Sequence, residues 1–535
     1  MNKLNKILVG LAMVAPMALT SCLDDTHPTN TVIEPDLEGS SMALDAQLGG
    51  ISSYMKTVGV WRDDQATDFA YPSQMIIRDL LCSDMIQVYN NYQHFINFER
   101  ISVVINQDYL LNQIIWYYYN LQVKAANVVI PMINPEDANG TQLNMLAQAL
   151  AFRAFIYLDM ARLYEFLPNA TTSPVTSQGN NVTGLTVPIT DPLNPVDPEK
   201  NPRATHEEMM KFIMNDLDRA EEYFSQNNSR NDKTRPDLSV VYGLKARAYM
   251  WDAQWAKAAE YARKAISAGA YTPTTRDQWL DPKTGFNDMS TPSWMFAIHQ
   301  VKEDDSVQDY SNWTSFMASE GNIGYGARYN NPMVIDKSLY ESIPDHDWRK
   351  LSWKAPAGTP LAGKESYVNP ENAADIMDYA SLKFRMGEGE LSDNNIGWAT
   401  DIPLMRVEEM YLTEAEAQAN LNPAEGARLL NEFMKTYRYS QYNCNKTGKD
   451  DVLNEIFKQK RIEFWGEGII IFDYKRLDKG VHRDYDGTNW PSDCQFNTTG
   501  RAPWFNFVMC GYEGELNTAC EGWNNPDAGG LKSYN

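Results

Sequence analysis

Two stretches of the chain set aromatic rings beside amides, acids and arginines without any helical or strand periodicity. In the first, Tyr89-Asn90-Asn91-Tyr92 follows Asp84, with Trp61 and Arg78 upstream. In the second, Trp313, Tyr325, Arg328, Tyr329 and Asn330 lie among Gly321, Gly324 and Gly326. A sugar has an apolar C–H face that stacks on Trp or Tyr, and hydroxyls around its edge that pair with Asn, Asp and Arg. These residue types therefore suit a surface that grips a polyhydroxylated ligand. The chain is rich in rings, with 14 Trp, 29 Tyr and 19 Phe, so most must still be core. Trp116, Trp251 and Trp255 sit on periodic stretches and are expected there.

Motifs for bond-making chemistry are incomplete. Gly358-Thr359-Pro360-Leu361-Ala362-Gly363-Lys364-Glu365 nearly spells a phosphate-binding loop, but Glu365 replaces the Mg²⁺-binding hydroxyl and Pro360 interrupts it. The six His show no paired spacing for a metal, and no G-x-S-x-G elbow occurs. Asp393-Asn394-Asn395 and Asp484-x-Asp486-Gly487 are acidic turns without EF-hand spacing. With 70 acids, chance carboxylate pairs are guaranteed, and only their separation in space is diagnostic. Neither a catalytic residue, a metal site nor a cofactor is assigned. A net charge of −23 repels polyanions, which argues against a nucleic-acid partner.

The elements that must position these rings are mainly helical. Leu143–Phe166 has one apolar face and Thr141 as its expected N-cap. Leu238–Trp251 and Trp255–Ala268 form a pair across a turn at Asp252-Ala253-Gln254, resembling a tetratricopeptide (TPR) unit. A third pair is expected over Ile402–Asn420 and Pro423–Tyr437, capped by Asp401 with Pro403 in the first turn. Further helices are expected at 38–57, 107–131, 204–227 and 449–465, making about four pairs. Residues 168–203 and 270–400 are rich in Pro, Gly and Asn, with short strand-like pieces such as Met295–His299. The second of these is too long for a structureless loop and should be an irregular lobe packed on the helices.

Lys3 and Lys6 precede an apolar run too short to span ~30 Å of hydrocarbon, and it ends in Leu19-Thr20-Ser21-Cys22. This resembles a bacterial lipobox, in which the cysteine is acylated and becomes the mature N-terminus. The acidic Asp24-Asp25 that follow look like the surface-export signal of Bacteroidetes-type lipoproteins. Outside the cytoplasm disulfides are permitted, and Cys444, Cys494, Cys510 and Cys520 leave three connectivities open.

Over its mature length the chain resembles the SusD/RagB family of nutrient-binding outer-membrane lipoproteins. The likeness rests on ordered blocks: Trp116-x₂-Tyr119 with Ala126-Asn127; Arg153-Ala154-Phe155 through Asp159 to Arg162-Leu163-Tyr164; Gly184 through Pro188; Ala246-Arg247-Ala248-Tyr249 with Trp255 through Ala259; Leu339-Tyr340 through Asp347 and Arg349; Pro403-Leu404-Met405-Arg406 with Met410 through Ala417; and Arg461 through Gly468. After Gly468 the family usually has a basic residue and an aromatic, whereas Ile469-Ile470-Ile471 stand here.

The resemblance implies a SusD-like α-helical fold with TPR-like helix pairs. It implies a signal peptide over 1–21, an acylated Cys22 with a linker to 37, and one domain over 38–535. Within that domain the scaffold would occupy 38–270 and 400–470, the ligand-binding lobe 271–399, and a loop-rich segment 471–535. It also implies a non-enzymatic protein on the outer membrane, facing outward. Such a protein would capture a glycan and deliver it to a SusC-like TonB-dependent transporter. Capture of a peptide, as in RagB-like proteins, is the alternative. A surface glycoside hydrolase and a ligand-free TPR scaffold are the readings from other classes. Ligand is expected where the early loop meets the lobe, on Trp61, Arg78, Asp84, Asn90, Asn91 and Tyr92 from the one and Trp313, Tyr325, Arg328, Tyr329 and Asn330 from the other.

Overall fold

Helix α4 (Gly140–Tyr164) is buried from Leu143 to Tyr164 on every side, which places it at the centre of the fold. The computed structural model describes residues 41–88, 94–102 and 106–528. The lipobox, Cys22 and the linker lie outside them, as do Asn90, Asn91 and Tyr92. Around α4 run α1 (Ser41–Tyr54), α2 (Ala70–Leu80), α3 (Leu110–Val129), α5 (His206–Gln226), α6 (Leu238–Trp251) and α7 (Trp255–Ser267). After the lobe come α8 (Val407–Leu421), α9 (Pro423–Tyr437), α10 (Lys449–Glu463) and α11 (Ile470–Arg476). Helix packs on helix in sequence through α3–α4–α5–α6–α7, and α8 lies against both α7 and α9. Gly426 permits the last approach, because a Cβ there would stand 2.4 Å from that of Ala419. This mainly α architecture agrees with the TPR-like expectation.

Local chemistry corrects several boundaries. The cap of α4 is Asn139, which accepts from Thr141 N and Gln142 N, while the Gln142 side chain returns to Asn139 N. Thr141 lies inside the helix. A helix was expected from Ile402, yet Ile402–Arg406 is a strand, and Asp401 accepts from His299 and Met289 N instead of capping. All five residues of that strand are buried, so the segment shows no periodicity to tell strand from helix. Helix α2 falls in a stretch read as loop for the same reason: its eleven residues are all buried.

The strands are β1 (Met85–Gln87), β2 (Leu185–Pro188), β3 (Arg203–Thr205), β4 (Trp294–Ile298), β5 (Met333–Ile335) and β6 (Ile402–Arg406). Among the described residues they form antiparallel ribbons β1–β5, β2–β3 and β4–β6. Ribbon β4–β6 ties the lobe to the start of α8. Ribbon β1–β5 pairs Met85 with Ile335 and Gln87 with Met333, joining the early segment to the lobe.

The blocks that carry the family resemblance are the joints of this scaffold. Glu463 is fully buried and faces Arg438 at 2.6 Å, Arg349 at 3.0 Å and Arg406 at 3.4 Å. Although burial opposes its charge, these guanidiniums hold its carboxyl well below the usual range. Glu467 takes Lys383 and Arg406, and Arg153 grips Asp216 through Nε and Nη2. Gly468 sits at φ +68° with Met75 Cα 2.4 Å from where a Cβ would be, so only glycine fits there. Cys82, Cys444, Cys494, Cys510 and Cys520 are buried and unbridged, so none of the open connectivities is formed.

Candidate functional site

The lobe presents an aromatic platform built by two close backbone approaches. Asn312 caps the short helix Trp313–Met317, accepting from Ser315 N at 2.8 Å. The loop that follows folds back on this helix, with Gly326 N donating to Ser315 O and Tyr325 N to Ser315 Oγ. A Cβ on Gly326 would lie 2.0 Å from Phe316 O, and one on Gly324 2.7 Å from Ser315 O. The glycines thus let the loop lie flat and set Tyr325 over Phe316, at 4.9 Å between centroids and 28° between planes. Tyr310 meets Tyr325 at 5.9 Å and rests on the buried Trp398 at 4.9 Å. His94 packs edge-on against Tyr325 at 4.5 Å, and burial lowers its pKa, favouring the neutral ring.

Polar groups rim these rings. Tyr329 is about half exposed and donates to Asp375 at 2.7 Å, with Arg328 over its ring at 4.7 Å. Asn330 donates to Gly324 O, closing the turn. Ribbon β1–β5 lies alongside: Val88 N donates to Pro332 O, and His94 lies against Tyr325, so both ends of the segment holding Asn90, Asn91 and Tyr92 meet the lobe here. Those three residues themselves are outside the described set.

Three expected ligand residues are corrected. Trp313 is 1% exposed and packs edge-on against Phe384 at 5.2 Å, inside the main core. Arg78 is buried between the rings of Tyr71 and Phe472, its Nη1 2.8 Å from Asp159. Asp84 is buried as well, accepting from Arg461 and Tyr474, while its carbonyl takes Trp465 Nε1. With their partners in place, all three are framework. Trp61 is exposed, but the structure pairs it with Tyr117 of α3 at 4.3 Å, on a loop held by Asp68. No ring contact joins that pair to Tyr325 among the described residues.

Sequence reasoning missed Tyr310, Trp398, His94 and Asp375. The available signal for Tyr310 was the one that singled out Trp313, an aromatic among polar residues. In the near-miss phosphate loop, Glu365 turns inward and accepts from Ala355 N inside the lobe. Asp393 caps a short helix through Asn395 N, as a turn residue does. A cavity of about 740 Å³ lies beside the C-terminal segment, lined by Gln107, Asp108, Gln178, Glu515 and others. No aromatic ring lines it among the described residues.

Residues 55–250 match the family model described as "Starch-binding associating with outer membrane", and residues 251–501 match that of the SusD family. SusD-like protein P38 of Formosa agariphila is 23% identical over 394 residues, covering 68% of this chain and 72% of that protein. A SusD-like carbohydrate-binding protein from Bacteroides vulgatus superposes with a TM-score of 0.71 at 22% identity, over 91% of this chain and 98% of its own. A SusD superfamily protein from Bacteroides thetaiotaomicron gives 0.66 at 17% identity, over 91% and 99%. No described helix is long and apolar enough to cross a membrane.

Proposed function

Because the chain belongs to the SusD/RagB family, we propose that it is a lipid-anchored surface protein that captures an oligosaccharide or polysaccharide. It would deliver this ligand to a SusC-like TonB-dependent transporter, its helical face resting on the barrel as a lid. The observation that carries the binding half is the platform of Tyr310, Tyr325 and Tyr329, ringed by Arg328, Asn330 and Asp375. Stacked rings supply apolar area, and the rim offers charged and neutral hydrogen-bond partners for hydroxyls. Likeness to a carbohydrate-binding relative supports the same reading.

Capture needs no bond to break. Glycoside hydrolysis requires two carboxyl groups ~5–9.5 Å apart across the scissile bond. At this rim Asp375 is engaged by Tyr329 and lies 3.7 Å from Arg328, an arrangement suited to holding rather than to proton transfer. Native gels cast with starch and other soluble polysaccharides, run beside a reducing-sugar assay, test the reading. Retarded migration with no new reducing ends is the expected outcome. Released reducing ends would mean a hydrolase, and binding of peptides alone would move the protein to the RagB-like alternative.

A further inference from the structure

Charge around the ring platform is lopsided in sign. Its rings and rim lie on two stretches of the lobe, 302–330 and 369–395, which together carry eleven carboxylates and four cations. That places −7 of the chain's net −23 on about a tenth of its residues. The four cations are already engaged. Lys383 is buried against Glu467, outside these stretches, and Arg385 against Glu320. Arg328 lies 3.7 Å from Asp375, and the exposed Lys302 3.6 Å from Glu303. Asp304 takes Lys56 from the early segment. Seven carboxylates are left without an ion pair among the described residues, Asp305, Asp309, Glu371, Glu390 and Asp393 among them. Lys283 runs past Gly389, and counting it against Glu388 still leaves six.

These carboxylates flank the rings. Asp309 directly precedes Tyr310 and accepts from Ser311 N at 2.6 Å. The loop carrying Glu390 and Asp393 is laced to both sides of the platform. Gln308 Nε2 donates to Asn395 Oδ1 at 2.9 Å, Asn322 N to Leu391 O at 2.8 Å, and Asn322 Nδ2 to Ser392 Oγ at 2.7 Å. Glu371 lies in the short helical turn just before Asp375, the partner of Tyr329. From the early segment, residues 89–93 contribute amides and rings to the sequence but no charge.

Given the proposed glycan platform of Tyr310, Tyr325 and Tyr329, on which this rests, we infer that the site takes glycans free of carboxylate and sulfate groups and turns polyanionic ones away. A site that holds a carboxylate or sulfate does so with an uncommitted arginine or lysine, best with a bidentate guanidinium. Arg328 faces Asp375 instead, with its guanidinium over the Tyr329 ring. A uronate chain laid across these rings would meet six or seven unpaired carboxylates with only Lys283 to answer them. Its repeating charge would multiply the repulsion. Sugar hydroxyls meet no such repulsion, because carboxylates and amides accept hydrogen bonds from them.

Native gels cast with starch, laminarin or galactomannan, and with alginate or polygalacturonate, test this on the full mature chain with EDTA present. At least one neutral polymer should retard migration, neither acidic one should, and Tyr310→Ala/Tyr325→Ala should abolish the retardation. The retained polymer is then titrated beside its carboxymethylated form. Added carboxylates should weaken binding about tenfold or more at ~0.01 M salt, where the Debye length is ~30 Å, and the gap should close toward ~1 M, where it is ~3 Å. No gap, or one that salt leaves unchanged, overturns the inference. Retardation by alginate or polygalacturonate that the double variant abolishes also overturns it, while leaving the platform in place. Retardation that the double variant retains, or none with any polymer, overturns the platform and this inference with it.

Discussion

At Trp313 and Tyr310 two rings three positions apart in one polar stretch have opposite fates. Asn312 caps a helix whose five residues are all buried, which carries Trp313 inward, while Tyr310 stays about half exposed ahead of the cap. Trp313→Ala should therefore cost about 3–5 kcal/mol of stability, as large core truncations do, and leave the ligand affinity of the folded protein unchanged. Thermal melting and titration on the same sample check both halves. Arg78 and Asp84 teach a similar lesson. A charged side chain in a ring-rich stretch reads as a ligand contact, but here each is consumed by a partner far along the chain: Asp159 and Arg461. Pairings that distant leave no local pattern. Tyr325, Arg328, Tyr329 and Asn330 lie together at the proposed platform, and the glycine spacing and polar context that single them out are local signals.

Among the elements, the helices with a polar face announced themselves through their period, whereas the fully buried α2 and β6 did not, because burial on all sides erases the alternation. The glycines of the lobe act at this scale. Gly326→Ala must move its loop away from the helix Trp313–Met317, since Phe316 O stands 2.0 Å from the new Cβ. We expect at least tenfold weaker ligand binding, about 1.4 kcal/mol, together with a lower melting temperature. A second expectation concerns the joint between α5 and the turn after α6. His206 lies 3.0 Å from both Glu165 and Asp252, and hydrogen bonding to Glu165 foremost raises its pKa to about 9. Its positive charge sits at the N-terminus of α5, where the helix dipole opposes it, yet the two carboxylates prevail. Because the folded value exceeds the ordinary one near 6.5, this stabilisation is complete below pH ~6.5 and is lost as pH rises through 9. The melting-temperature advantage of wild type over His206→Gln should accordingly shrink between pH 7 and pH 10. A constant difference across that range would contradict the assignment.

For the whole molecule, the helical scaffold and the family were readable because the ordered blocks are its structural joints, with Arg349 and Glu463 from two separate blocks meeting at 3.0 Å. The proposed ligand surface overlaps the sequence expectation only in part, since it depends on which side of a short helix each ring falls. The proposed anchor belongs to this scale too. Cys22→Ala should abolish acylation and shift the protein from the membrane to the soluble fraction; a variant still in the membrane pellet would refute the anchor. The central claim is that exposed rings of the lobe hold a glycan. Its most direct test is isothermal titration of the polysaccharide retained in the affinity gel against wild type and Tyr310→Ala/Tyr325→Ala, with melting temperatures measured in parallel. Exposed and half-buried stacking rings that anchor a ligand should each contribute up to ~2 kcal/mol, so the double variant should bind at least tenfold more weakly while melting within a few degrees of wild type. Unchanged affinity in a folded double variant would place the glycan elsewhere on the molecule and contradict this account.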